Sequence, residues 1–212
     1  MEILEPTDEN LRRAGELIAR GGIVALPTET VYGLGADAFN ARAVARVFEA
    51  KARPSFDPLI VHVASAAGAG RIAASTPPKA LALMEALWPG PLTLVLPKRE
   101  ELPDLVTSGL GSVALRCPAH PVALALIEYS GTAVAAPSAN PFGYLSPTTA
   151  EHVARMLGER VDLIVDGGRC AVGVESTVLD LTVDPPRILR PGGMARESIE
   201  AAAQYIHAHH AE

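Results

Sequence analysis

The chain has 212 residues, 49% of them hydrophobic but only 4% aromatic, and a formal net charge of -6. That length suits one large domain, or a domain with a small appendage, whose core is built from Ala, Val, Leu and Ile. The negative balance excludes a broad basic surface holding nucleic acid by phosphate neutralisation, and no apolar run approaches the roughly 20 residues that span a bilayer. Cys117 and Cys170 form no CxxC pair, which argues against a disulfide scaffold. The acidic start, Met1 to Glu5, lacks the apolar core of a signal peptide. A cytoplasmic protein is expected.

In chain order, a helix is predicted over about 8–20, with Thr7 or Asp8 as its cap and Gly21 as its stop. Gly22 to Leu26 reads as a buried strand, and Asn40 caps a helix over about 41–51 whose Val44, Val47 and Phe48 share one face. Leu59 to Val63 is a strand, about 78–87 a helix, and Leu92 to Leu96 and Val113 to Leu115 are strands. A helical stretch between Val122 and Tyr129 precedes a buried strand from Thr132 to Ala136. Thr148 or Thr149 caps a helix over about 149–157. Leu163 to Val165, Thr177 to Leu181 and Arg187 to Leu189 are strands, and a last helix spans about 197–207. Helices interleaved with strands imply an α/β or α+β domain around one twisted sheet. The late strands without intervening helices make that sheet mixed.

Four polar motifs interrupt this pattern. Pro27 to Gly35 (PTETVYGLG) follows a strand and combines hydroxyls, a carboxylate and glycines that let backbone approach a ligand. It reads equally as a turn whose threonines satisfy their own backbone. No GxxxxGK[ST] phosphate loop occurs. Lys51-Ala52-Arg53-Pro54 places two cations where Pro54 forces the chain out of a helix. On an extended segment they project to one side and clamp an anion, or they simply answer the helix dipole. Asp57 and His62 follow, the latter on an apolar strand where a lone histidine is usually a core residue.

Ala133 to Pro141 is an apolar strand ending in Ser138 and Asn140 between prolines, followed by Ser146-Pro147-Thr148. Ligand groups in α/β proteins favour such carboxyl ends of strands, though a proline-braced turn looks the same. Arg116, after Ser112, and Arg190 each close a short apolar strand, beside Gly173-Val174-Glu175-Ser176-Thr177. A buried arginine needs an anion, supplied by a ligand or by a structural carboxylate. Cys117 has no activating base nearby and reads as a buried thiol. The histidines His207, His209 and His210 read as a frayed helix end.

Together PTETVYGLG, KARPSFDPLIVHV, PGPLTLVL, SVALRCP, APSANPFGYLSPT, GVESTVLDL and ILRPGG resemble, in sequence and order, the YrdC-like threonylcarbamoyl-AMP synthases. The resemblance covers about residues 10–195 of the 212, and Lys51-x-Arg53 with Ser138-x-Asn140 is its most specific part. It implies a twisted, mixed, mostly open α/β sheet with flanking helices and a concave, positively charged cavity. It also implies condensation of L-threonine, bicarbonate and ATP into threonylcarbamoyl-AMP, with magnesium accompanying ATP as substrate. By motif, Thr30, His62, Arg116, Ala136 (through its backbone) and Ser176 line the threonine site. Arg53, Asp57, Ser112, Ser138, Ser146 and Arg190 contact ATP, with Lys51 and Asn140 completing a quartet around its phosphates. No resident metal is implied.

The resemblance further implies that downstream proteins transfer the threonylcarbamoyl group to the adenosine next to the anticodon of tRNAs reading ANN codons; at most weak direct tRNA binding by this chain is expected. Many relatives carry Asn at Asp57, where an anion repels phosphates unless a cation or backbone donor intervenes. Because the sequence ends soon after ILRPGG, the single-domain form over 1–212 is expected. Two other readings are set aside. Hydrogenase-maturation carbamoyltransferases carry zinc-finger modules needing CxxC pairs, and an RNA-binding paralogue needs stacking aromatics and a cationic groove.

Overall fold

The computed structural model describes residues 1–209. Ten strands form one sheet: β1 (Glu2–Leu4), β2 (Val24–Leu26), β3 (Gly33–Asp37), β4 (Ile60–His62), β5 (Leu92–Pro97), β6 (Ser112–Arg116), β7 (Val134–Ala135), β8 (Leu163–Val165), β9 (Thr177–Asp180) and β10 (Arg187–Arg190). Their order is β1-β8-β2-β3-β7-β4-β6-β5-β9-β10, so the sheet is open with β1 and β10 at its edges. Four neighbouring pairs are parallel and five antiparallel, the mixed sheet expected from the succession of late strands.

Eight helices accompany it: α1 (Asp8–Ala19), α2 (Ala41–Lys51), α3 (Ala66–Ala69), α4 (Pro78–Leu87), α5 (Asp104–Thr107), α6 (Pro121–Ser130), α7 (Ala150–Leu157) and α8 (Arg196–His209). Local chemistry decides the starts left open above. Thr7 Oγ1 accepts from Asn10 N (3.3 Å), and Thr149 Oγ1 accepts from His152 N (3.3 Å). Asn40 Oδ1 caps α2 by accepting from Arg42 N and Ala43 N. The histidines His207, His209 and His210 lie outside the residues whose side chains are described. Among the described residues no helix is long and apolar enough to cross a membrane.

β1, β3, α3 and α5 were not foreseen. Strand β3 is Gly-Leu-Gly-Ala-Asp, with none of the branched residues that mark a strand locally. It is held from both sides, by β2 and β7. Glycine is required there: a Cβ on Gly35 would stand 2.6 Å from Leu26 Cδ2 and 2.8 Å from Val134 Cγ1. Packing of neighbours, not propensity, makes this segment a strand.

Alternation along the strands separates two cores. Val24 and Leu26, Leu163 and Val165, and Val134 pack with α1 and α6, through Leu11, Ile18, Leu126 and Ile127. Ala25, Ile164 and Ala135 face the other core with α2, through Val44 and Val47. Farther along the sheet, Val61, Val113, Leu115 and Leu179 also join that second core. Their alternates on β4, β6 and β9 point to the opposite face, where the cavity lies.

Candidate active site

A cavity of about 530 Å³ is floored by Ile60 and His62 of β4, Ser112, Ala114 and Arg116 of β6, and Val178 and Asp180 of β9. Every second residue of these strands contributes, so the floor is a sheet face. Ser138 and Asn140 join it from just beyond the carboxyl end of β7, as expected, while the floor itself is the sheet face. Walls come from the Thr28–Gly33 turn, the end of α2, the loop running through Ala136 to Ser146, and Glu175 with Ser176. All of the site residues named from the sequence line it: Thr30, Lys51, Arg53, Asp57, His62, Ser112, Arg116, Ala136, Ser138, Asn140, Ser146, Ser176 and Arg190.

One cluster gathers on Arg116, which is 4% exposed. Its Nη1 donates to Thr30 Oγ1 (2.9 Å) and its Nε to Gly90 O (3.2 Å), while Nη2 stands 2.6 Å from Glu29 Oε1. That last contact is an ion pair poorly aligned as a hydrogen bond. Glu29 Oε2 also accepts from Ala119 N at 3.0 Å. Thr28 satisfies the turn's own backbone, accepting from Thr30 N and Val31 N, which frees Thr30 to face the arginine. Ala136 gives its N–H to Ile60 O (2.9 Å), leaving its carbonyl for a ligand.

His62 pairs in register with Arg116 across β4 and β6 and is 4% exposed. Burial, reinforced by the Arg116 charge, pushes its imidazole down to about 3, so it is neutral near pH 7. The unfolded chain protonates this histidine near 6.5 while the folded one resists. Between about 6.5 and about 3 the unfolded state therefore binds more protons, and stability falls as pH falls. We expect His62→Gln to flatten the decline of the urea midpoint from pH 7 to 4.5, where one extra proton is worth about 1.4 kcal/mol per pH unit. Parallel profiles for the two proteins would assign the acid sensitivity elsewhere.

A second cluster forms where α2 ends. Lys51 is still helical and Ala52 is left-handed (φ 49°), so the extended two-residue projection expected for Lys51 and Arg53 does not occur. Lys51 turns inward, 1% exposed, and its Nζ donates to Ser138 O and Asn140 O. Phe142 N returns a bond to Lys51 O (2.8 Å), and Asn140 Nδ2 donates to Pro141 O (2.9 Å) and Tyr144 O (2.8 Å). Burial, then the Arg53 charge, pushes the Lys51 ammonium down to about 7. Lys51 and Asn140 thus brace the 138–144 backbone. Arg53 donates from Nε to Asp57 O (3.0 Å) and from Nη2 to Pro58 O (3.0 Å), and pairs with Asp57 Oδ2 at 2.9 Å. The cation needed beside Asp57 is Arg53 itself.

A third cluster joins Arg190 to Glu175. Arg190 pairs through Nη1 with Glu175 Oε2 and donates from Nη2 to Ser176 O (2.9 Å) and Ser176 Oγ (3.2 Å). Ser146 Oγ donates to Glu175 Oε1 (3.0 Å), and Ser176 Oγ lies 2.7 Å from Thr93 Oγ1. Burial pushes the Glu175 carboxyl up, but Arg190 and the hydroxyls outweigh it and hold the carboxyl below the usual range.

Buried Arg116 and half-buried Arg190 therefore both have protein carboxylates, and neither Glu29 nor Glu175 received a role from the sequence. Each is the sole carboxylate of its motif, PTETVYGLG or GVEST, but nothing local says which arginine it meets. The positive cavity is also corrected in degree. Lys51, Arg53, Arg116 and Arg190 line it with Asp57, Glu175 and Asp180, and Glu29 pairs with Arg116 from behind, so carboxylates offset most of its positive charge. Five buried side-chain polar atoms among the described residues make no hydrogen bond. Of these, His62 Nδ1, Arg116 Nη2 and Asn140 Oδ1 belong to cavity residues, and Glu29 Oε1 faces Arg116. Unpaired buried groups cost about 1–3 kcal/mol each, a cost that a polar ligand would remove. Cys117 and Cys170 are buried thiols, each pushed up to about 11 by burial, so neither is a ready thiolate.

The molecule is an open mixed α/β domain whose cavity carries paired arginines and serine hydroxyls, a lining suited to small anionic ligands. Residues 16–192 match the Sua5/YciO/YrdC family model, described as Telomere recombination. The chain belongs to that family. The threonylcarbamoyl-AMP synthase of Pyrococcus abyssi (strain GE5 / Orsay) is 52% identical over 199 residues, covering 94% of this chain and 58% of that protein. The threonylcarbamoyl-AMP synthase of Bacillus subtilis (strain 168) is 52% identical over 205 residues, covering 96% of this chain and 59% of that protein. A crystal structure of P. abyssi Sua5 complexed with L-threonine matches at TM-score 0.94 and 50% identity, covering 95% of this chain and 61% of that one. The chain thus spans about three fifths of the length of these relatives.

Proposed function

We propose that this chain, read as one YrdC-like domain over 1–212, is a nucleotidyltransferase that makes L-threonylcarbamoyl-AMP from L-threonine, bicarbonate and ATP, releasing pyrophosphate. The observation that supports this most is the meeting of two unlike clusters in one cavity. Arg116 with Thr30 and neutral His62 suits an amino acid, and Arg53, Ser138, Ser146 and Arg190 suit a polyphosphate. The threonine complex of the P. abyssi relative agrees with the first half of this reading.

In this reading the uncommitted N–H groups of Arg116 hold the threonine carboxylate, oriented by Thr30 and Glu29. His62, Ser176 and the Ala136 carbonyl offer polar atoms to the rest of the amino acid. The threonine amine captures carbon dioxide derived from bicarbonate, giving an N-carboxylate. One oxygen of that carboxylate attacks the α-phosphorus of ATP, the bond to the β-phosphate oxygen breaks, and pyrophosphate leaves. Two anions must meet, so Arg53, with Ser112, Ser138, Ser146 and Arg190, neutralises phosphate charge as it builds. Asp57 acts on ATP through Arg53. Lys51 and Asn140 shape the loop that carries Ser138. No side chain need become covalently bonded, since holding reactants in line supplies a large part of the acceleration.

Magnesium, where it accompanies ATP, neutralises phosphate charge and keeps phosphate oxygens and water as its ligands. Among the described residues no group of three or more His, Cys, Asp or Glu stands together to cage an ion. The product passes to threonylcarbamoyl-transferring proteins that modify the adenosine next to the anticodon of tRNAs reading ANN codons. An acidic chain of net charge -6 binds tRNA weakly at most and works in the cytoplasm.

Pyrophosphate release from ATP and magnesium is expected only when both L-threonine and bicarbonate are present. Release without threonine, or none despite ATP binding, would overturn the synthase reading.

A further inference from the structure

Glu175 stands among the groups assigned above to ATP. Ser146 Oγ donates to one of its oxygens at 3.0 Å, and Arg190 Nη1 pairs with the other. Ser138 and Lys51 also stabilise its charge. Each of these is a partner that a phosphate oxygen would take. An acid at this point opposes nucleotide binding if it stays, because like charges forced together cost several kcal/mol.

The surroundings let the carboxylate leave without disturbing the rest. The backbone of Glu175 is fixed, since its carbonyl accepts from Gly193 N (2.8 Å) and the Arg190–Gly193 turn presses against it. A Cβ on Gly192 would stand 2.2 Å from Glu175 O, so only glycine permits that approach. The side chain, by contrast, is 34% exposed and has solvent to turn into. Arg190 also donates to Ser176 O through Nε (3.2 Å) and Nη2 (2.9 Å), bonds that do not involve the Glu175 side chain. Its Nη1 alone changes partner.

We propose that Glu175 is the internal anion of this site: without nucleotide its carboxylate takes a phosphate's place between Ser146 and Arg190, and a phosphate binds there only by displacing it. The inference rests on the nucleotide reading of the cavity. A displacement of this kind selects for polyphosphates. A lone monoanion only exchanges the carboxylate's two contacts for its own, whereas a triphosphate reaches Arg53 and Ser138 at the same time.

The test is calorimetric titration of ATP, and separately of inorganic pyrophosphate, into the full chain and its Glu175→Gln variant. Glutamine keeps the size and can still accept from Arg190, so it removes charge with little else. Binding of both probes should tighten on the order of tenfold, a step of about 1.4 kcal/mol. A merely structural carboxylate predicts the opposite sign, because a loosened Arg190 binds anions less well. Unchanged or weaker binding by the variant overturns the proposal. Should Glu175→Gln not fold, Glu175→Ala is judged by the same criterion, and failure of both to fold marks a structural residue and also overturns it. If the unsubstituted protein binds neither probe, the nucleotide reading itself falls, and this inference with it.

Discussion

Arg53→Ala should lower threonine-dependent pyrophosphate release by about 10²–10³-fold while the protein still unfolds at nearly its usual urea midpoint. The factor is that for removing one aligned donor from a developing oxyanion, roughly 2.7–4 kcal/mol of transition-state stabilisation. Arg53 is suited to that role because its own partners hold it in place: Asp57 Oδ2 at 2.9 Å, Asp57 O at 3.0 Å and Pro58 O at 3.0 Å. Stability should be spared because the Asp57 side chain left behind is 36% exposed and water can solvate it. Exposed pairs contribute about 0–1 kcal/mol, and this one, with Arg53 at 13% exposure but Asp57 open to water, belongs at the upper end of that range. A folded variant with the parent's rate would remove Arg53 from the phosphate clamp.

Lys51→Met should do the reverse in emphasis, lowering stability by roughly 2–5 kcal/mol and activity along with it. Methionine approximates the apolar stem but donates nothing, so the carbonyls of Ser138 and Asn140 lose their shared buried donor. Those carbonyls anchor the loop that presents Ser138 and Ser146 to the cavity. Loosening it should weaken ATP binding as a consequence of disorder. Lys51→Arg is not expected to restore either property, since a planar guanidinium fork cannot place one compact donor between two carbonyls as an ammonium does. Urea denaturation and ATP titration on the same samples separate the possibilities. Unchanged stability with weakened ATP binding would mean that Lys51 meets a phosphate directly, as the motif resemblance first implied.

The contrast between these neighbours shows what sequence spacing leaves undecided. Lys51 and Arg53 are two residues apart, and an extended chain would send both to one side. A single left-handed residue, Ala52 at φ 49°, sends Lys51 into the protein and leaves Arg53 at the cavity. Similarly, the need of Arg116 and Arg190 for anions followed from elementary electrostatics. That Glu29 and Glu175 meet those needs depended on bringing together segments far apart in the chain.

By itself the sequence determined the helices α1, α2, α4, α6 and α7, most strands, and thirteen of the residues that line the cavity, Glu175 not among them. Those features are local: period, caps and motif composition act over a few residues. Tertiary structure alone decided that Gly33–Asp37 is a strand, because neighbours on both sides impose it on a segment of low propensity. It alone decided that one face of β4, β6 and β9 is left for a ligand while the other closes a core, and which carboxylate answers which arginine. Those outcomes depend on pairing across the sheet, where contacts between distant segments outweigh local preference.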